Sequence, residues 1–127
     1  MQTNDIIFLD QEHRALFNEI CSTMSSRAAL DEYHLAAAYL MSLDTVCRKH
    51  TSDIFDFEED CIKAGGLFKE WQTGTSTKTT RLIFNLWNGY TSEDEARDYT
   101  PESIFACSYA PYYWQAIKLR YPCYAEP

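Results

Sequence analysis

His50, Asp53 and Asp56 recur at three-residue steps. On a helix His50 and Asp53 share a face and Asp56 lies near it. Imidazole beside carboxylates can hold a divalent cation, and His34 joins from the preceding segment as a fourth ligand. That set describes a metal-binding domain or a metal-assisted hydrolase. The spacing matches no strong metal signature, however, and helix capping with surface hydrogen bonding accounts for the same residues. No resident cofactor is expected.

Thr77, Arg81, Asn85 and Asn88 form a second constellation, at steps of four, four and three along one side of a helix. Arginine offers five donors in a fixed fork, and each Asn amide both donates and accepts. Such a row can read a carboxylate, a phosphate or a peptide backbone, so Arg81, Asn85 and Asn88 are candidate contacts for a small ligand or nucleotide. The competing reading is an internal network, because buried polar groups must be paired.

The third constellation is electrostatic. The chain has 127 residues and a formal charge of −8. Residues 51–60 carry −5 and residues 91–102 carry −4, and the basic segment 61–90 between them carries +3. Asp53, Asp56, Glu58, Glu59 and Asp60 in the first block, and Glu93, Asp94 and Glu95 in the second, are candidate partner-binding residues. Such a face suits a basic protein, for example one that binds nucleic acid, and would mainly speed and orient association. Two solvated loops are the plainer account. Direct binding to nucleic acid or to an anionic membrane is not expected from 11 Lys and Arg against 19 Asp and Glu.

A fourth feature is the aromatic end, Tyr109 to Trp114 with Tyr121 and Tyr124. It reads as a helix laid on the core as a lid, or as a dimer or partner surface. Oligomeric state does not follow from it. Walker, GxGxxG, GxSxG and HExxH patterns are absent, so no catalytic residue is assigned and an enzyme is the less favoured class. Among five cysteines without a CxxC pair, only Cys47 has cationic neighbours, Arg48 and Lys49. The odd, sparse set, the lack of a basic leader and the lack of a long apolar run point to a cytoplasmic protein with free thiols.

The elements that must position these groups are helical. One domain is expected, with its core over about residues 5–122. Leu9, His13, Leu16, Phe17, Ile20, Cys21 and Met24 mark one helix face, capped by Asp10. Asp31 caps a second helix with the stripe Ala36, Leu40, Leu43 and Cys47; it is central and runs to about His50, with a break near Asp44. Residues 51–60 fit a turn, a short helix or a brief extended stretch. Thr75 or Ser76 opens a helix carrying Thr79, Leu82, Ile83, Leu86, Trp87 and Tyr90, which Gly89 closes. Thr100-Pro101 starts a short helix, and Pro111 starts the last one, in which Trp114, Ile117 and Tyr121 align. The class is all-α, a compact bundle of about five or six uneven helices.

Several strings carry a resemblance. Asp31-Glu32-Tyr33-His34, Ala38-Tyr39-Leu40, Arg48-Lys49-His50 and Phe55-Asp56-Phe57 come first, followed by the more distinctive Trp71-Gln72-Thr73-Gly74-Thr75-Ser76 and Thr80 through Gly89. Over roughly residues 5–122 the chain resembles a domain family of unknown function from gut bacteria, their phages and mobile elements. The resemblance implies a small cytoplasmic protein carried by mobile DNA, and no catalytic residue carries over with it. With the acidic surface, it makes a non-enzymatic interaction protein the leading expectation, in its most concrete form an anti-CRISPR-like inhibitor of a host defence system.

Overall fold

The computed structural model describes residues 5–27, 29–91 and 96–124. Among these the class is all-α, with six α-helices and one two-stranded hairpin. The helices are α1 Gln11–Ser25, α2 Glu32–Leu43, α3 Thr51–Ile54, α4 Gly74–Asn88, α5 Pro101–Ile104 and α6 Ala110–Arg120. Strands β1 Phe55–Asp56 and β2 Cys61–Ile62 pair antiparallel, Phe55 opposite Ile62 and Asp56 opposite Cys61. Short 3-10 turns cover Cys47–Lys49, Ala64–Phe68 and Ala96–Tyr99.

Helix α2 is the axis. Nine of its twelve residues are buried, and it packs against α1, α4 and α6. A helix apolar on nearly every side is stable only inside others. Tyr39, Leu40, Met41 and Leu43 lose all solvent exposure, each contributing about 1.5–3 kcal/mol of apolar burial. Asp10 and Asp31 cap α1 and α2 as their positions predict, accepting the amides of His13 and His34.

Helix α2 stops at Leu43, and only a 3-10 turn lies between it and His50. The break falls at Asp44, which turns extended while its carboxylate accepts the amides of Val46 and Cys47 at 2.8 and 3.0 Å. Arg48 covers the open end of α2 by donating to the carbonyls of Ser42 and Leu43. The same guanidinium reaches Asp10 and Glu12 at the start of α1.

Helix α4 begins one to two residues earlier than its apolar stripe predicts. Thr73 is the cap: its hydroxyl accepts from the Ser76 amide, and Ser76 Oγ accepts from the Thr73 amide. Gly89 closes α4 with φ 75°, the left-handed conformation that glycine adopts without a Cβ clash. Thr100 caps α5, and Pro111 lies in the first turn of α6.

In α6 the aligned residues Trp114, Ile117 and Tyr121 are not the buried stripe. Trp114 and Tyr121 are exposed, and Tyr113, Ala116 and Leu119 face the core. Both stripes are apolar, so spacing alone does not choose between them. The Tyr113 hydroxyl decides for its own side by meeting Thr79 Oγ1 at 2.6 Å.

Candidate functional site

The acidic segment is a hairpin turn with a built-in brace. Residues 57–60 form the turn between β1 and β2. Asp56 Oδ1 accepts the amides of Glu58 and Glu59, both at 3.0 Å, and these bonds hold its pKa below the usual carboxylate range. Asp60 closes the turn at φ 57°, a conformation that Asp tolerates better than most residues. The Lys63 amide donates to the Ile54 carbonyl at 2.7 Å and extends the ladder. Glu58 and Glu59 are left exposed at the tip.

His34 fastens this turn to α2. Its Nδ1 lies 2.7 Å from Asp31 Oδ1, and its Nε2 lies 2.9 and 3.0 Å from the two oxygens of Asp60. Trp87 of α4 packs edge-on against the imidazole at 5.1 Å. The doubly protonated ring donates from both nitrogens and is the form that satisfies both carboxylates. Burial opposes that charge, but the hydrogen bonds of Asp31 and Asp60 outweigh it and raise the pKa above 6.5. The clamp is therefore complete below pH 6.5 and weakens as pH rises through the elevated value. Normalised protection of the Lys63 amide from hydrogen exchange should fall across that rise, and His34→Ala should lower it at every pH. Protection that is flat with pH and equal in both proteins would remove the clamp.

The proposed metal ligands do not converge. His34 is taken by Asp31 and Asp60. His50 stacks on Trp71 with ring centroids 4.3 Å apart and planes at 5°. Asp53 accepts from Trp71 Nε1 at 2.9 Å and lies 3.9 Å from His50 Nδ1. Asp56 braces the turn. Among the described residues no group of three or more His, Cys, Asp or Glu side chains is arranged to hold a metal ion. Of the partner-binding candidates, Asp53 is thus bonded inward, whereas Asp56, Glu58, Glu59 and Asp60 share the turn. Glu93, Asp94 and Glu95 lie outside the described residues.

The Arg81 row also faces its own chain. Arg81 is 3.7 Å from Asp98 and lies over the Tyr99 ring at 5.8 Å. Asn85 Nδ2 donates to the Tyr90 carbonyl at 3.4 Å, and Asn88 Oδ1 accepts the Tyr90 amide at 3.1 Å. Thr77 Oγ1 donates to the Thr73 carbonyl at 2.6 Å. The Asn85 and Asn88 bonds close the end of α4 and the Arg81 contacts tie it to the segment after it, whereas the Thr77 bond lies in its first turn.

Cys47 lies fully buried, its thiol against the Ser76 carbonyl and Thr80 Oγ1, both at 3.6 Å. Desolvation, and then the Asp44 charge, push its pKa far up. Its cationic neighbour Arg48 serves the end of α2, so this thiol lacks the setting of a nucleophile.

One polar system was not anticipated from the residue pattern. Asp44 is 1% exposed and accepts from Thr79 Oγ1 at 2.9 Å, while Thr79 Oγ1 also meets the Tyr113 hydroxyl. Beside it, Gln72 donates to Thr80 Oγ1 and to the Gly66 carbonyl and accepts from Ser76 Oγ at 2.6 Å. The Gln72–Ser76 string, in which spacing places only the helix start at Thr75 or Ser76, is this cap and network. Gly66 belongs to it sterically: a Cβ there would stand 2.5 Å from the Asp53 carbonyl oxygen. The available signal was the unusual run of hydroxyl residues in the first two turns of α4.

A small all-α protein with an acidic, braced hairpin turn is the class these features define. The chain matches a family of unknown function (DUF6075) across residues 3–127, and it belongs to that family. No curated protein and no solved structure matched it. Among the described residues no helix is long and apolar enough to cross a membrane.

Proposed function

We propose that the protein is a non-enzymatic interaction domain that docks a basic protein surface through the turn Asp56–Asp60. One observation carries the reading: Asp56 and the His34 clamp hold the turn in a fixed shape while Glu58 and Glu59 stand exposed at its tip. A charged epitope whose backbone is already ordered loses little conformational entropy on binding, and its field steers the encounter. The most concrete form is an inhibitor of a host defence system, anti-CRISPR-like, that occupies a lysine- and arginine-lined nucleic-acid channel. A cytoplasmic site of action and an origin in phages or other mobile elements of gut bacteria belong to this proposal.

The test is phage plating on hosts that carry single defence systems, with and without the expressed chain. Expression should restore plating against at least one system. The double variant Glu58→Lys/Glu59→Lys should keep its melting temperature, since both side chains are exposed, and lose the effect by about tenfold or more. Equal inhibition by wild type and variant would sink the acidic-turn reading. Restoration against none of the systems would sink the defence-inhibitor form.

A further inference from the structure

A cleft of about 290 Å³ opens between α1 and the segment that leads into the acidic turn. Leu16, Ile20 and Phe57 supply its apolar wall. Glu19, Thr23 and the Thr51–Ser52 pair supply its polar atoms. Its size equals roughly ten water volumes, room for one extended side chain rather than a helix. Phe57 is the first residue of the turn, so the cleft and the turn are continuous in the chain.

We propose that this cleft receives an arginine side chain of the basic partner. The inference rests on the proposed function and adds the anchor to it. Charge complementarity selects the occupant. No lining residue is cationic, Glu19 is exposed on the cleft, and Phe57 is flanked by Asp56 before it and by Glu58 and Glu59 after it. One ammonium stands at the rim: Lys63 donates to the carbonyl of the lining residue Ser52 at 3.0 Å, and four carboxylates, Glu19, Asp56, Glu58 and Glu59, outnumber it on the lining and the residues beside Phe57. The side chain wanted here has an apolar stem for Leu16, Ile20 and Phe57 and a cationic donor head for a carboxylate and hydroxyl oxygens. Lysine and arginine both offer that outline. Arginine fits better, because its planar head is weakly hydrated, stacks on aromatic rings such as Phe57, and donates to several acceptors at once. The Thr23 hydroxyl spends its proton on the Glu19 carbonyl at 3.1 Å and keeps its capacity to accept. An arginine seated in a pocket beside a charged rim is a common anchor of protein interfaces.

The experiment uses the full chain and two fluorescein-labelled octapeptides, one rich in arginine and one rich in lysine at equal charge, read by anisotropy at physiological salt. The arginine peptide should bind tighter by about fivefold or more. Thr23→Phe fills the cleft without changing charge. It should erase that preference and weaken the arginine peptide about tenfold, with the melting temperature confirming the fold. Ser22→Phe, one residue along α1 and not part of the lining, should bind as wild type. If Thr23→Phe binds both peptides like wild type while Glu58→Lys/Glu59→Lys loses both, the cleft is not the anchor and the acidic-turn reading stands. If wild type binds neither peptide, the anchor and the basic-partner reading fall together. Equal affinity for the two peptides overturns the arginine assignment.

Discussion

Asp44→Ala should lower the unfolding free energy by about 3 kcal/mol, the cost of stranding buried donors. The melting temperature should fall by roughly 10 °C. The carboxylate serves three donors: the amides of Val46 and Cys47 and the hydroxyl of Thr79. The carboxylate is 1% exposed, so its removal leaves these donors without their acceptor away from bulk solvent, and the Tyr113–Thr79 pair loses its terminal acceptor. Asp44→Asn keeps one carbonyl oxygen for the two amides, and its new amide donor can meet the Thr79 hydroxyl. Its loss should be less than half that of the alanine variant. Urea unfolding of the three proteins measures the difference. An alanine variant within about 0.5 kcal/mol of wild type would mean that the network holds nothing together.

The second large effect is acid lability centred on His13. Its ring is fully buried, accepts the Leu9 amide at Nδ1 at 3.0 Å, and donates from Nε2 to the Tyr39 carbonyl at 2.9 Å. That pattern requires the neutral tautomer. Desolvation is the main reason its pKa falls from 6.5 to about 4, against the partial support of the Tyr39 bond. Between those values the unfolded chain holds the extra proton and the folded one does not, so stability rises with pH across the window. The contribution is whole above pH 6.5 and is lost progressively as pH falls to about 4, on the order of 3 kcal/mol in all. His34 works in the opposite sense: its contribution is complete below pH 6.5 and declines only above it. Asp10, Asp31 and Asp56, whose pKa values are held below 3.8, give up their contributions mainly below that value, so the loss of stability between pH 6.5 and 4 is assigned chiefly to His13. His13→Gln should be less stable at pH 7 and nearly flat through that window. A variant with the wild-type slope would reassign the acid sensitivity to other groups.

The two histidines also mark how far residue types carry an argument. His13 was legible as one member of an apolar face, and the structure keeps it there. Chemical type alone groups His34 with His50, Asp53 and Asp56. The hairpin instead brings Asp60 back onto α2, twenty-six residues away in the chain. Spacing rules describe neighbours on one helix, and this contact is made by a turn between strands two residues long, too short to leave a periodic signal.

Local physics sufficed for much of the molecule. The all-α class, the caps at Asp10, Asp31 and Thr100, the glycine stop at Gly89 and the central place of α2 all follow from interactions within a few residues or from one helix period. The clustering of acid in residues 51–60 is likewise a property of the chain alone. Tertiary structure decided what those interactions cannot reach. It chose the Tyr113 side of α6 over the equally apolar Trp114 side, because only there does a hydroxyl partner wait in the core. It turned Asp44 from a helix breaker into the acceptor of a buried network. It made the acidic segment a braced turn beside a cleft, because the Asp60–His34 bond and the approach of α1 both join residues distant in sequence.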